Sequence, residues 1–234
     1  MKLSFRLPGI VAAAVLGGSG HAAFGGVGNA YPARAQATAS LPTLSAELQV
    51  GDVVFIRVPA KPFREVADAT GSWTNHVGIV VDAAGVDPLI AESTFPFSRT
   101  GRLSRFVARS EGRRVAVSRL VAEPDAAQKA GIQRAARQRV GVFYDTGFDL
   151  HSPRQFCSRF VREVLQQATG VSVGQTETFA ELLARRPGAS LGFWRVWYFG
   201  RIPWSRVTVT PASLLASDAL RPVFDGTALR LPAH

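Results

Sequence analysis

Short apolar bursts bounded by turn residues dominate the first half of the chain, and apolar residues at helical spacing dominate much of the second. Val53-Val54-Phe55-Ile56-Arg57-Val58 follows a turn at Gly51-Asp52 and is broken by Pro59 and Pro62, which predicts a strand. His76 to Val81 predicts a second strand, Pro88 to Ser93 a third and Arg113 to Leu120 a fourth. Their close spacing predicts an antiparallel sheet. Residues 61–73 read as a short helix and then a loop around Gly71-Ser72. Leu103 to Ser110 reads as a short helix, with Phe106 and Val107 inward and Arg102, Arg105 and Arg109 on a wet basic face.

Pro124-Asp125 starts a helix that runs through the Ala- and Arg-rich stretch Ala126 to Val140. Phe160, Val161, Val164, Leu165 and Ala168 then recur at helical spacing, and Gly170 can end the run. Cys157 lies near the start of this helix, and the cap-like Ser152-Pro153 places that start before the cysteine. Thr178 to Glu181 has capping-box spacing for another short helix, closed by Pro187-Gly188. The aromatic stretch Phe193 to Phe199 reads as extended, with Ile202 to Trp204 and Val207 to Val209 continuing the sheet. Thr210-Pro211 opens a last short helix over Ser213-Leu214-Leu215.

The pattern sets expected boundaries. Residues 1–35 have the layout of a secretory signal peptide: a basic start, the apolar run Leu7 to Gly18, and small residues at Ala33-Arg34-Ala35. The run is short for a membrane span, so the mature chain is expected to have none and to be exported to the periplasm. Retention as an N-terminal anchor is the competing reading. Residues 36–47 read as a flexible linker, 48–224 as one α+β domain, and 225–234 as a C-terminal tail.

Composition narrows the chemistry. Apolar residues make up 47% of the 234, enough for a real core. The net charge is +10, and removing Lys2, Arg6 and Arg34 with the first 35 residues leaves +7. That favours loose contact with anionic polymers or phospholipid. The arginines are dispersed and form no nucleic-acid motif, so no specific nucleic acid is expected. One cysteine excludes an intrachain disulfide and a cysteine-rich zinc site. Without an HExxH, an EF-hand loop or a P-loop, neither a metal nor an organic cofactor is called for. Oligomeric state is not legible.

The lone Cys157 at a helix start sees the positive end of the helix dipole, which favours thiolate. A thiol nucleophile needs a base and a third group to orient it. On the second strand, His76, Gly78 and Val80 share one face, and Gly78 leaves space beside His76 for another element such as the Cys157 helix. Glu92 lies in an apolar run on the next strand and needs a partner, for which His76 is in reach across the sheet. A surface His76 and a Glu92 facing water beside an arginine are the plain alternatives. Asn75 reads as a loop-shaping residue and His151 as exposed.

Six segments together carry a family resemblance: Gly51 to Phe55, Asn75 to Val80, Ala91-Glu92-Ser93, Tyr144-Asp145, Cys157 to Val161 and Thr210 to Leu214. In this order, with histidine before cysteine, the chain resembles papain-like amidases with a circularly permuted NlpC/P60 fold, of the YiiX/YebB type. The resemblance covers about residues 48–224. It implies a central antiparallel sheet packed against helices, the Cys157 helix among them. It implies Cys157 as nucleophile, His76 as base and Glu92 as the residue orienting the histidine. Tyr144 corresponds to a family tyrosine near the thiol that positions substrate or oxyanion, with a packed aromatic as the alternative. Asp145 reads as a turn residue.

The expected reaction is amide cleavage through a thioester, with a peptide of the cell envelope as the substrate suggested by export. A lipid-directed thiol acyl hydrolase or acyltransferase is one alternative. A catalytically silent envelope-binding module, in which the cysteine and histidine do not meet, is the other. Whether the aromatic segment 193–204 touches ligand or membrane is left open.

Overall fold

The computed structural model describes residues 37–229. The expected signal peptide over residues 1–35 lies outside them. Nine strands occur among the described residues: β1 (Ala37–Ser40), β2 (Val53–Ile56), β3 (His76–Asp82), β4 (Leu89–Glu92), β5 (Arg99–Arg102), β6 (Arg114–Leu120), β7 (Thr176–Thr178), β8 (Val207–Val209) and β9 (Leu220–Leu229). The helices are α1 (Leu41–Glu47), α2 (Lys61–Thr70), α3 (Leu103–Ala108), α4 (Ala126–Arg139), α5 (Cys157–Thr169), α6 (Phe179–Ala184), α7 (Leu191–Trp197) and α8 (Pro211–Leu215).

Seven strands form one sheet in the order β1-β9-β6-β2-β3-β4-β5, and β7 pairs with β8 apart from it. All neighbours in the large sheet are antiparallel except β1 and β9. The fold is therefore α+β, built on a mainly antiparallel sheet. Its central strands are apolar at nearly every position because helices cover both faces. Val53, Phe55, Val77 and Ile79 meet Ile132 of α4 and Phe160, Val161, Val164 and Leu165 of α5 on one face. Val54, Ile56, Val80 and Ile90 meet Leu44 of α1 and Leu103, Phe106 and Val107 of α3 on the other. Each of these side chains is at most a few per cent exposed, worth roughly 1.5–3 kcal/mol apiece relative to full exposure.

Helix α5 forms because its four apolar positions fall on one stripe, and it stops at Gly170 in the left-handed conformation (φ +76). It begins at Cys157, not before it as Ser152-Pro153 suggested: Phe156 is its N-cap, in extended conformation. Residues 152–154 instead form a turn whose Ser152 and Arg154 carbonyls accept from Arg159.

Three other readings are corrected. Residues 37–47 are not a flexible linker: they form β1 and α1, with β1 paired in parallel along β9 from Ala37↔Gly226 to Ser40↔Leu229. The tail expected from residue 225 is the second half of β9. The stretch 193–199 is not extended. Phe193, Trp194, Trp197 and Tyr198 have helical spacing, Ser190 accepts from the Phe193 amide, and α7 results. Its aromatic side chains build a separate cluster with Phe179, Leu183 and Ile202 rather than extending the sheet.

Candidate active site

Strand parity places His76 and Glu92 together. Ile56 pairs with His76 and Val54 with Gly78, while Val80 pairs with Ile90, so His76, Gly78, Ile90 and Glu92 share the face that α3 covers. The space beside Gly78 is not filled by α5. A Cβ there would lie 2.6 Å from Ile90 Cγ2 and 3.0 Å from Phe106 Cε2, so glycine lets Phe106 of α3 close against the strand. Phe106 then lies beside the imidazole at 5.7 Å between ring centroids, and Phe63 of α2 meets the same ring edge-on at 5.6 Å. His76 is fully buried between them.

Nε2 of His76 is 2.6 Å from Oε2 of Glu92. Arg109 donates to the same oxygen at 2.6 Å, and Arg99 donates to Oε1 at 3.1 Å. Burial would raise the Glu92 pKa, but the His76 hydrogen bond and charge and the Arg109 charge outweigh it and hold the carboxyl at about 2. Burial would lower the His76 pKa, but its interactions with Cys157 and then Glu92 outweigh it and raise the imidazole to about 9.

Cys157 is near enough to the imidazole to help raise its pKa. His76 is the first residue of β3, so its ring sits where the strand no longer separates the two faces. Nδ1 has no regular hydrogen-bond partner, yet Cys157 interacts with the ring strongly enough to shift it. No N–H···S bond is formed at Nδ1, and catalytic hydrogen bonds often close only when substrate binds. Cys157 is the first residue of α5, and its N-cap offers no side-chain acceptor. The first-turn amides, which cannot bond within the helix, remain available as donors.

Tyr144 is brought to the thiol by backbone pairing. The Asp145 amide donates to the Gln155 carbonyl at 2.7 Å, and the Gln155 amide donates to the Phe143 carbonyl at 3.0 Å. Ser93, next to Glu92, also donates to the Gln155 carbonyl, at 2.9 Å. Burial first, and then the neighbouring Cys157, push the Tyr144 pKa well above the usual phenol value, so its O–H stays a donor.

Asp145 closes a turn by accepting from the Gly147 and Asp149 amides. Asn75 binds both backbone groups of Val58 and so shapes the approach to β3. His151 is exposed. The structure pairs His76 with Glu92 and sets Cys157 near enough to shift both the His76 imidazole and the Tyr144 phenol, while His151 enters none of these interactions. Arg109 is not on a wet face as its spacing suggested, and Arg99 joins it on Glu92. Neither contact has a local period that a sequence could display.

A cavity of about 230 Å³ opens over the thiol. Its walls are chiefly apolar, with Phe63, Phe148, Phe156, Phe179, Trp194 and Val209 among them, and Cys157 and Tyr144 lie in its lining. Phe148 packs edge-on against both Phe156 and Trp194. Helix α7, through Trp194 and Trp197, supplies part of the wall.

A family model described as permuted papain-like amidase enzyme, YaeF/YiiX, C92 family, matches residues 47–224. The protein YiiX of Escherichia coli (strain K12) is 25% identical over 184 residues, which span 79% of this chain and 90% of that protein. A crystal structure of YiiX from Escherichia coli O157:H7 matches with a TM-score of 0.68 at 23% identity, covering 76% of this chain and 98% of that one. This likeness is one of fold. That neighbour is described as a metalloprotein. Here both Glu92 oxygens are held by cationic groups, and among the described residues no group of three or more His, Cys, Asp or Glu side chains could hold a metal ion.

Proposed function

The chain belongs to the permuted papain-like amidase family and is a cysteine amidase/peptidase-like hydrolase; from that premise we propose that Cys157 cleaves an amide bond through a thioester, with His76 as base and Glu92 orienting it. What supports this reading is the Glu92 carboxylate bonded to Nε2 of His76, with Cys157 near enough to help raise the imidazole and Nδ1 left without another partner. An imidazole raised to about 9 is protonated at neutral pH, which is the partner a thiolate requires.

The thiolate attacks the carbonyl carbon, and the developing oxyanion is met by the Cys157 amide and the Tyr144 hydroxyl. The imidazolium gives its proton to the leaving nitrogen as the C–N bond breaks. His76, now neutral, takes a proton from water, whose oxygen attacks the thioester. The carboxylate product leaves, and the thiol–imidazole pair is restored. A peptide of the cell envelope is the substrate that export would supply, and export itself is part of the proposal.

The apolar cavity favours a second reading, in which an acyl chain lies beside the thiol and the scissile bond is an N-acyl amide or an ester. A silent binding module would require the thiol and imidazole to be kept apart, and the influence of Cys157 on the His76 imidazole speaks against it. Envelope peptides, N-acyl lipids and lysophospholipids are to be screened for hydrolysis, with Cys157→Ala as the blank. The expected result is turnover of one class, lost in the variant, with an acyl adduct on Cys157 by intact mass. Turnover that persists in the folded variant overturns the nucleophile assignment.

A further inference from the structure

Helix α7 and the turn after it expose large apolar side chains that the active site does not use. Val196 is 80% exposed and Phe199 is 97% exposed. Phe199 also sits at φ +51, a left-handed conformation that costs a bulky residue and suits glycine. No packing of its ring offsets that cost. Val196 and Phe199 line an open depression of about 570 Å³ together with Arg201 and Arg206.

The charge around this surface has one sign. From Leu182 to Ser217 the chain carries five arginines and no Asp or Glu. Arg206 reaches back to Asp149, and Arg185 to Glu177. Arg195 and Arg201 are exposed. The depression adjoins the cavity over Cys157, since Thr146 and Trp197 line both.

We propose that the α7 ridge is a docking surface for an anionic phospholipid bilayer, with Val196 and Phe199 entering the headgroup region and Arg195 and Arg201 meeting the phosphates. Exposed apolar residues flanked by arginine are what such an interface binds, through buried area and attraction to anionic lipid together. A second copy of the chain is the poorer occupant, since net charge +10 makes two copies repel. The proposal does not depend on the reaction, and its test uses protein that cannot turn over by the proposed route.

Full-length Cys157→Ala protein is to be sedimented with vesicles of phosphatidylglycerol and phosphatidylethanolamine, and with vesicles of phosphatidylcholine alone. The same is done with Val196→Ser/Phe199→Gly and with Arg195→Gln/Arg201→Gln added to that background. Binding is expected for the anionic vesicles, weakening with salt. The apolar pair of changes should lower affinity about tenfold or more, and the arginine pair about tenfold. The melting temperature of the apolar variant should not fall, because Phe199→Gly relieves the backbone and neither side chain packs. Equal sedimentation of parent and apolar variant overturns the proposal, because binding would then reside elsewhere, the N-terminal segment included. Equal binding to neutral vesicles, or binding to neither, overturns it too. A concentration-dependent dimer that the apolar variant loses, without vesicle binding, assigns the ridge to a second copy instead.

Discussion

Glu92 carries three cationic partners where one histidine would suffice for orientation. Arg109 and Arg99 hold the carboxylate in place, and His76 with Arg109 keeps its pKa down at about 2. The proposed chemistry then depends on His76 remaining protonated, so activity should fall on the alkaline side as pH passes about 9. Glu92→Gln removes the charge that helps raise the imidazole. Its kcat/KM should drop roughly 10²- to 10⁴-fold, and its alkaline limb should move to lower pH. A pH profile identical to the parent's would remove Glu92 from the proposed role. Tyr144→Phe keeps the buried ring and deletes only the hydroxyl, so kcat is expected to fall about 10²-fold with little change in KM or melting temperature. The period-2 pattern put His76, Gly78 and Val80 on one face, and the need of a carboxylate in an apolar run for a partner pointed Glu92 to His76. It could not announce Arg99, Arg109, Phe63 or Phe106, which arrive from other elements and follow no period of their own.

Among the elements, α3 matters more to the site than its six residues suggest. Phe106 packs beside both the His76 ring, 5.7 Å away, and the Arg109 guanidinium, which stands 5.0 Å from its centroid. Gly78 makes that approach possible. Gly78→Ala should therefore destabilise the fold by about 1–3 kcal/mol and reduce activity as well, read from urea midpoints and steady-state kinetics on the same preparation. The strand β1 depends on a second close approach. A Cβ on Gly226 would lie 1.8 Å from the Ala37 carbonyl oxygen, so Gly226→Ala should strip amide-exchange protection from residues 37–40 while leaving β2 and β3 protected. Helices α4 and α5 were legible because their apolar stripes and end signals agree. β1 was not, because Ala37-Thr38-Ala39-Ser40 has no apolar period and becomes a strand only through β9. Helix α7 was misread because consecutive aromatics suit a strand as well as a helix, and only Ser190 and the packing of Trp194 decide between them.

For the molecule as a whole, the buried ion pair makes stability a function of pH at both ends. His76 is raised above its ordinary 6.5, so its contribution is complete below that pH and is lost as pH rises through about 9. Glu92 is lowered below its ordinary 4.5, so its contribution is complete above that pH and is lost as pH falls through about 2. Urea midpoints should be highest between about 4.5 and 6.5 and decline on the alkaline side, and Glu92→Gln should bring that decline to lower pH. The α+β character was legible from spaced strands and two strong helices. The added edge at β1 and the full length of β9 were not, since each strand is recognisable only beside the other. One further result follows from the greasy lining over Cys157. Such a chamber is a poor reservoir for water, so a thioester formed in it would outlast one open to solvent. Any amphiphilic amine or alcohol that can lodge there would then compete for the acyl group, and trapping by a long-chain amine should exceed trapping by a short one at equal concentration.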